Sequence, residues 1–252
     1  MVSGDEIPGV ATISSCGFVE SLHTVAKMSG WSEKRGKLPP GQGIGVGCYS
    51  FISGGVFNWF NTQYEFAAIE VEAFDDGTVH LKTMASDIGQ GSDTVLRQIL
   101  AAELGIDVKK IRLTTADTAV TPKADLGTWG SRVTLMVGNA VIDAARKLQE
   151  MLIPVLFTEY DLSQIHDIGF EGDRVFVNAK PSQGMSLAEC ARKALRGRRG
   201  EPLTAFGYYT PRNKGLVSPA FSFGAQVAEV SVDEDTGLVT VAQMHTAHDC
   251  GV

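Results

Sequence analysis

Val79, Leu81 and Thr83 alternate with the polar His80 and Lys82, the period of a half-buried β-strand. From Thr94 onward the apolar positions shift to helical spacing at Val95, Ile99 and Ala102. Upstream, Ala68-Ile69-Glu70-Val71-Glu72 also alternates, and the turn Asp75-Asp76-Gly77 joins it to the first strand, which predicts a β-hairpin. The pattern returns late in the chain as Ala228 to Val232, a turn at Asp235-Thr236-Gly237, and Val239-Thr240-Val241. Each return strand runs on to an aspartate and a glycine, Asp87 and Gly89 in the first and Asp249 and Gly251 in the second. This reads as an internal pseudo-repeat. Asp-Gly turns are common enough for two unrelated hairpins to give the same pattern.

The remaining periodicity fills in around these hairpins. Phe18 to Ser29 predicts an amphipathic helix with Leu22, Val25 and Ala26 on one side, followed by a basic, Pro- and Gly-rich link from Lys34 to Gln42. Gly43-Ile44-Gly45-Val46-Gly47-Cys48-Tyr49-Ser50 has strand periodicity and no capped helix after it, so a close-packed strand is expected, with a cofactor loop as the lesser alternative. After the first hairpin come a helix to Leu104, a strand from Lys110 to Thr115, and a loop holding Asp117, Thr118, Thr121, Pro122, Asp125 and Gly127 to Arg132. A long helix starts near Ser131, with Val133, Met136, Val137, Ala140, Val141 and Ala144 on its apolar face. A further helix begins at Ser186, where Glu189 stands at capping-box spacing. The β-α-β order points to helices packed on a mixed sheet. The expected fold class is α+β, mixed sheets with packed helices in two pseudo-repeated halves. The expected division is an N-terminal helix and linker (1–42), a first half (43–160) and a second, incomplete half (161–252).

Composition narrows the function classes. The 252 residues are 44% hydrophobic and 20% charged, ordinary for a soluble globular protein, and the net charge of -7 argues against nucleic acid as a partner. The basic run Arg192, Lys193, Arg196, Arg198, Arg199 is either a solvated helix end or a patch for an anion. The four cysteines, Cys16, Cys48, Cys190 and Cys250, form no C-x-x-C pair, so no zinc knuckle or iron–sulfur motif is present and free thiols in a reducing compartment are expected. No signal peptide and no membrane-spanning run is visible, and a cytoplasmic location is expected. His245-x-x-His248-Asp249 has a metal-like look, but positions three apart on a strand fall on opposite faces, which favours a structural role.

Two strand- or loop-to-helix junctions carry candidate chemistry. In the first, Gly89 and Gly91 let the backbone turn sharply around Gln90, whose amide both donates and accepts, while Ser92 and Asp93 are N-cap candidates ahead of Thr94. Free first-turn N–H groups there would face an anion. In the second, Gly127, Thr128 and Gly130 lead to Ser131, Arg132 and Thr134, which offer hydroxyls, N–H groups and one guanidinium to a pyrophosphate. Each junction alone also reads as an ordinary Gly-rich turn. Two of them in one βαβ neighbourhood favour a shared phosphorylated ligand.

The ordered set Asp87-Ile88-Gly89-Gln90-Gly91, Gln98, Ala101 to Gly105, Asp117-Thr118, Thr121-Pro122, Gly127-Thr128, Ser131-Arg132, Thr134 and Gly138 to Val141 resembles the molybdenum-cofactor-binding subunit of the xanthine dehydrogenase and aldehyde oxidase superfamily. Ala225 to Val230 and Asp249-Cys250-Gly251 extend the resemblance, which runs from about Gly43 to the C-terminus, is weakest between Leu156 and Phe221, and looks nearest the 4-hydroxybenzoyl-CoA reductase branch. The resemblance implies an oxidoreductase with molybdenum held by a molybdopterin, dinucleotide form, acting on a small-molecule substrate. Gln90 would bond the pterin or metal end, and the Ser131 to Thr134 helix start would take the pyrophosphate. Electrons would pass to iron–sulfur and flavin subunits. The family's catalytic Gly-Glu motif and the upstream loops of its metal pocket have no match here, so the resemblance implies a cofactor-binding piece that needs a companion molybdenum-subunit segment and is inactive alone. No catalytic base is assigned, and a non-catalytic cofactor-binding or assembly module is the alternative.

Overall fold

The computed structural model describes residues 1–8, 11–54, 66–123, 127–162, 167–211 and 220–251. Along the chain run β1 (Glu6–Ile7), β2 (Ala11–Thr12), α1 (Phe18–Ser29), α2 (Trp31–Lys34), β3 (Gln42–Ile52), β4 (Ala67–Ala73), β5 (Val79–Thr83), α3 (Ser92–Leu104) and β6 (Ile111–Thr115). There follow α4 (Val133–Glu159), β7 (Ile168–Glu171), β8 (Arg174–Val177), β9 (Lys180–Ser186), α5 (Leu187–Gly197), β10 (Leu203–Tyr209), β11 (Phe221–Val232) and β12 (Val239–Asp249). Helices and mixed sheets make this an α+β fold, as expected. It divides into two compact units, Met1–Phe60 with Asn213–Val252, and Asn61–Arg212. Strand β3 pairs with β11 and so falls outside the first hairpin's unit.

The central unit is built on the sheet β10-β4-β5-β6, with antiparallel neighbours except the β5–β6 pair, which is parallel and joined by α3. The alternation seen in sequence is what splits its faces. Ile69, Val71, Val79 and Leu81 are buried, while Lys82 on the other face bridges Glu70 at 2.6 Å and Glu72 at 3.4 Å. On α3, Leu96, Leu100 and Leu104 recur at helical spacing and are fully buried, each side chain contributing about 1.5–3 kcal/mol. The helix ends at Gly105, whose left-handed φ of 62° closes the last turn. Helix α4 lies against β10, β4 and α3 and buries Met136, Ala140, Ala144, Leu148 and Leu152. Strand β10 and the small sheet β7-β8-β9 were not foreseen. The buried Leu203, Ala205 and Gly207 alternate along β10, a strand signal the sequence does carry.

Helix α5 follows its expected cap: the Ser186 hydroxyl accepts from the Glu189 N–H at 3.1 Å. In its basic run Lys193 lies 2.7 Å from Glu159 and Arg198 3.3 Å from Glu201.

In the other unit, α1 spans the residues its amphipathic pattern predicts and packs Val25, with Leu22, on Ala225 and Val227 of the sheet β12-β11-β3. The Gly-rich segment is indeed a strand, but β3 is an edge strand whose residues are mostly exposed, which corrects the close-packed expectation. The two hairpins share more than their turns. Asp249 Oδ1 accepts from the Gly251 N–H at 3.1 Å and its Oδ2 from the Gly17 N–H, at the start of α1, at 2.7 Å. Asp87 holds its own glycine and a helix start in the same way, as the site below shows.

Candidate functional site

At the end of β5 the chain leaves the sheet through a loop tied by its own polar groups. Ala85 donates to the Thr83 hydroxyl at 3.1 Å. Asp87 Oδ1 accepts from the N–H groups of Gly89 at 2.8 Å and Gly91 at 3.4 Å, and its Oδ2 accepts from Asp93 at 3.2 Å. These donors, Gly89 foremost, hold the Asp87 carboxyl below the usual carboxylate range. Gln90 folds over the same loop: its Oε1 accepts from Ile88 at 2.7 Å, and its Nε2 donates to the Ser92 hydroxyl at 2.9 Å and the Ser86 carbonyl at 3.3 Å.

Two expectations change here. The N-cap of α3 is Gly91, at φ 80°, not Ser92 or Asp93, because Ser92 is already helical and buried with its hydroxyl turned to Gln90. The α3 start is also not an open anion site, since the chain's own Asp87 carboxylate lies against it.

The second junction is different. Gly127, Gly130 and Ser131 have left-handed φ values of 83°, 61° and 56°, and Arg132 then turns to the right-handed helical region as the N-cap of α4. Such a change of hand turns successive backbone N–H groups toward one point, a geometry suited to an anion. The helix begins at Val133 rather than at Ser131. Ser131 and Thr134 are exposed, whereas Arg132 is only 1% exposed and its guanidinium lies 5.6 Å from the centre of the Trp129 ring. Packing thus turns the Arg132 side chain inward. The Thr128 hydroxyl accepts from the Ser86 N–H at 3.0 Å and ties the two junctions together.

Between them lies a cavity of about 390 Å³. Of the ten sequence-selected residues, Gln90, Ser92, Thr128, Ser131, Arg132 and Thr134 line it. Gly89, Gly91 and Thr94 do not, and Gly127 borders a narrow space of about 10 Å³ beside Ala85 and Met136 instead. Sequence reasoning missed Ile88, Val95, Trp129 and Val133 in the wall. Ile88 is 73% exposed, an apolar residue at the tip of a polar loop, and Trp129 stands beside Gly130; both were visible in the two motifs. Asp125 lies outside the described residues. Among the described residues that line it there is no Asp, Glu, His or Cys, and Arg132 is the charged one.

Other candidates have structural occupations. A larger cavity of about 540 Å³ beside Met151 and Pro154 is rimmed by Lys193, Arg196 and Arg198, of which Lys193 and Arg198 pair with Glu159 and Glu201. Among the described residues no group of three or more His, Cys, Asp or Glu could hold a metal. His248 pairs its Nδ1 with the Tyr49 hydroxyl at 2.7 Å, while His245, on the opposite face of β12, lies 3.5 Å from Glu229. Lys34 at 2.7 Å from Glu229 is the main cause of that carboxyl's lowered pKa. All four cysteines are free, and burial pushes the Cys190 thiol up to about 12, far from a nucleophile's range. No helix among the described residues is long and apolar enough to cross a membrane.

Residues 24–252 match the family described as the molybdopterin cofactor-binding domain. Over 246 residues the chain is 30% identical to the xanthine dehydrogenase molybdenum-binding subunit of Escherichia coli O157:H7, covering 95% of this chain and 31% of that protein. It is 31% identical over 189 residues to the carbon monoxide dehydrogenase large chain of Hydrogenophaga pseudoflava, covering 74% of this chain and 23% of that one. The fold is similar to that of a Cu,Mo-CO dehydrogenase, with a TM-score of 0.70 at 24% identity, covering 96% of this chain and 32% of that one. It is also similar to quinoline 2-oxidoreductase from Pseudomonas putida 86, with a TM-score of 0.72 at 21% identity, covering 97% of this chain and 33% of that one. The chain spans about a third of the length of the solved proteins it matches.

Proposed function

The chain belongs to the molybdopterin cofactor-binding domain family, and from that premise we propose that the cavity between the α3 and α4 starts holds part of a molybdopterin, in its dinucleotide form. The donor set at the α4 start carries this reading: the Arg132 guanidinium and the Ser131 and Thr134 hydroxyls line one cavity, a combination suited to an anionic ligand. The residues present fit the group. Ser131 and Thr134 place hydroxyls at the α4 start, the change of hand at Ser131 and Arg132 supplies backbone donors, and the Trp129 indole adds an apolar wall suited to a flat ring. Gln90 and Ser92 from the α3 junction, with Thr128, give further polar groups. A phosphate or pyrophosphate belongs at Ser131 to Thr134 and not at the α3 start, where Asp87 would repel it.

When bound, the molybdenum centre supplies two-electron redox chemistry of the kind used to hydroxylate or reduce a small carbon substrate. This chain's residues bind and orient the cofactor. With no titratable acid or base among the described residues of the cavity wall, proton transfer falls to residues elsewhere, so the chain acts as the cofactor-holding part of an oxidoreductase whose companion molybdenum-subunit segment completes the site. Iron–sulfur and flavin subunits would take the electrons onward, in the cytoplasm.

The test is metal and pterin analysis of the chain purified alone and with its co-purifying subunits, for wild type, Arg132→Ala and Gln90→Ala. Molybdenum and pterin in the wild-type complex, and their loss from folded Arg132→Ala, are expected. An intact native complex without either would reject the cofactor reading and leave an assembly module. A simple phosphate in place of the pterin would make the site a generic anion pocket.

A further inference from the structure

The cavity wall at Gln90 is shaped by a residue that does not line it. The loop from Ser86 to Gly91 contains no regular structure, yet Gln90 has a defined set of bonds to Ile88, Ser92 and Ser86. Gly89 and Gly91 on either side of it hold φ values of 104° and 80°, a backbone conformation open chiefly to glycine. The group that brings both glycine N–H groups and the first turn of α3 to one point is the Asp87 carboxylate, through both of its oxygens. We infer that Asp87 is a positioning residue for the site: by holding the amides of Gly89, Gly91 and Asp93 it fixes the loop that presents Gln90 and fills the α3 start with the chain's own negative charge.

The inference rests on the cofactor reading and adds a division of labour to it. One helix start is neutralised from within and serves as scaffold, and the other is left to the ligand's anion. Asp249 holds Gly251 and Gly17 through its two oxygens in the same way, and the sequence places a valine, not a glutamine, three residues after it, so the clamp itself is scaffold.

Asp87→Asn keeps one acceptor oxygen and loses the charge; Asp87→Ala loses both. Each is made in the full chain and purified with its partners from a host that produces molybdopterin, beside wild type and Gln90→Ala. Three quantities are read: the amide chemical shifts of Gly89, Gly91 and Asp93, the melting temperature, and pterin content by fluorescence of the oxidised pterin. Expected are upfield shifts of the three amides, graded from Asn to Ala. Pterin retention should be about tenfold weaker in Asp87→Ala, at a melting temperature close to wild type. Wild-type amide shifts in Asp87→Ala overturn the clamp. Full pterin loading in Asp87→Ala, with Gln90→Ala depleted, overturns the positioning role while leaving the cofactor reading intact. A wild-type complex free of pterin overturns the cofactor reading and the positioning role with it.

Discussion

Replacing Gly207 by alanine tests how tightly the site's main helix is seated. Gly207 lies on β10, paired with Ile69 of β4, and faces α4. A Cβ built there falls on the carbonyl oxygen of Ala140, 2.9 Å from that carbonyl carbon and 2.9 Å from the Ala144 Cβ. Carbon atoms in contact prefer separations of about 3.5 Å or more. The obstructing atoms are helix backbone, which cannot step aside as a flexible side chain would. Overpacking typically costs about 1–3 kcal/mol, and a clash with backbone belongs at the upper end. Alanine's lower chain entropy in the unfolded state returns roughly 0.5–1 kcal/mol. The net expectation is destabilisation of about 2 kcal/mol, with α4 displaced from β10. The control is Gly197→Ala, at the end of α5, where nothing lies within 4 Å of the added Cβ; there only the entropic gain remains, and stability should rise by a few tenths to about 1 kcal/mol. Urea unfolding followed by circular dichroism, with the slope compared between variants, reads both. Gly207→Ala within about 0.5 kcal/mol of wild type would refute the argument and mean that α4 is not seated closely on β10.

Two other outcomes follow from local chemistry. Ser186→Ala should cost about 1 kcal/mol by removing the cap of α5, and Ser186→Asp should restore most of it; equal stability of wild type and Ser186→Ala in urea would show that the cap bond carries no net energy. The Glu229 carboxyl is held below its ordinary value chiefly by the hydrogen bond from Lys34, with His245 adding to it. A lowered folded pKa contributes stability that is complete above the unfolded carboxyl's range, about 4.3, and is lost as pH falls through the lower folded value. The stability gap between wild type and Lys34→Met should therefore be wide at neutral pH and narrow in strong acid. A gap of the same size at both ends would rule out the carboxylate as its source.

What could be read from sequence was what neighbouring residues decide among themselves. Helix α1 over Phe18–Ser29, the Ser186 cap and both hairpins at Asp-Gly turns were legible, because periodicity and capping act over a few residues. The two junctions were also legible as chemistry, and six of the ten residues chosen from them line the cavity. Tertiary structure decided the rest. Strand β3 pairs with β11, which no local pattern specifies, and β3 thereby becomes an exposed edge rather than a packed strand. The Asp249 carboxylate reaches Gly17 across 232 positions, and Ser86 reaches Thr128 across 42. Residue type showed that Arg132 carries a charge at a helix start, but its inward turn toward Trp129 depends on what packs around α4. Likewise, glycines at 89 and 91 announced a tight turn, while the identity of the anion inside it, Asp87 and not a ligand, was set by side-chain directions that only the folded loop fixes.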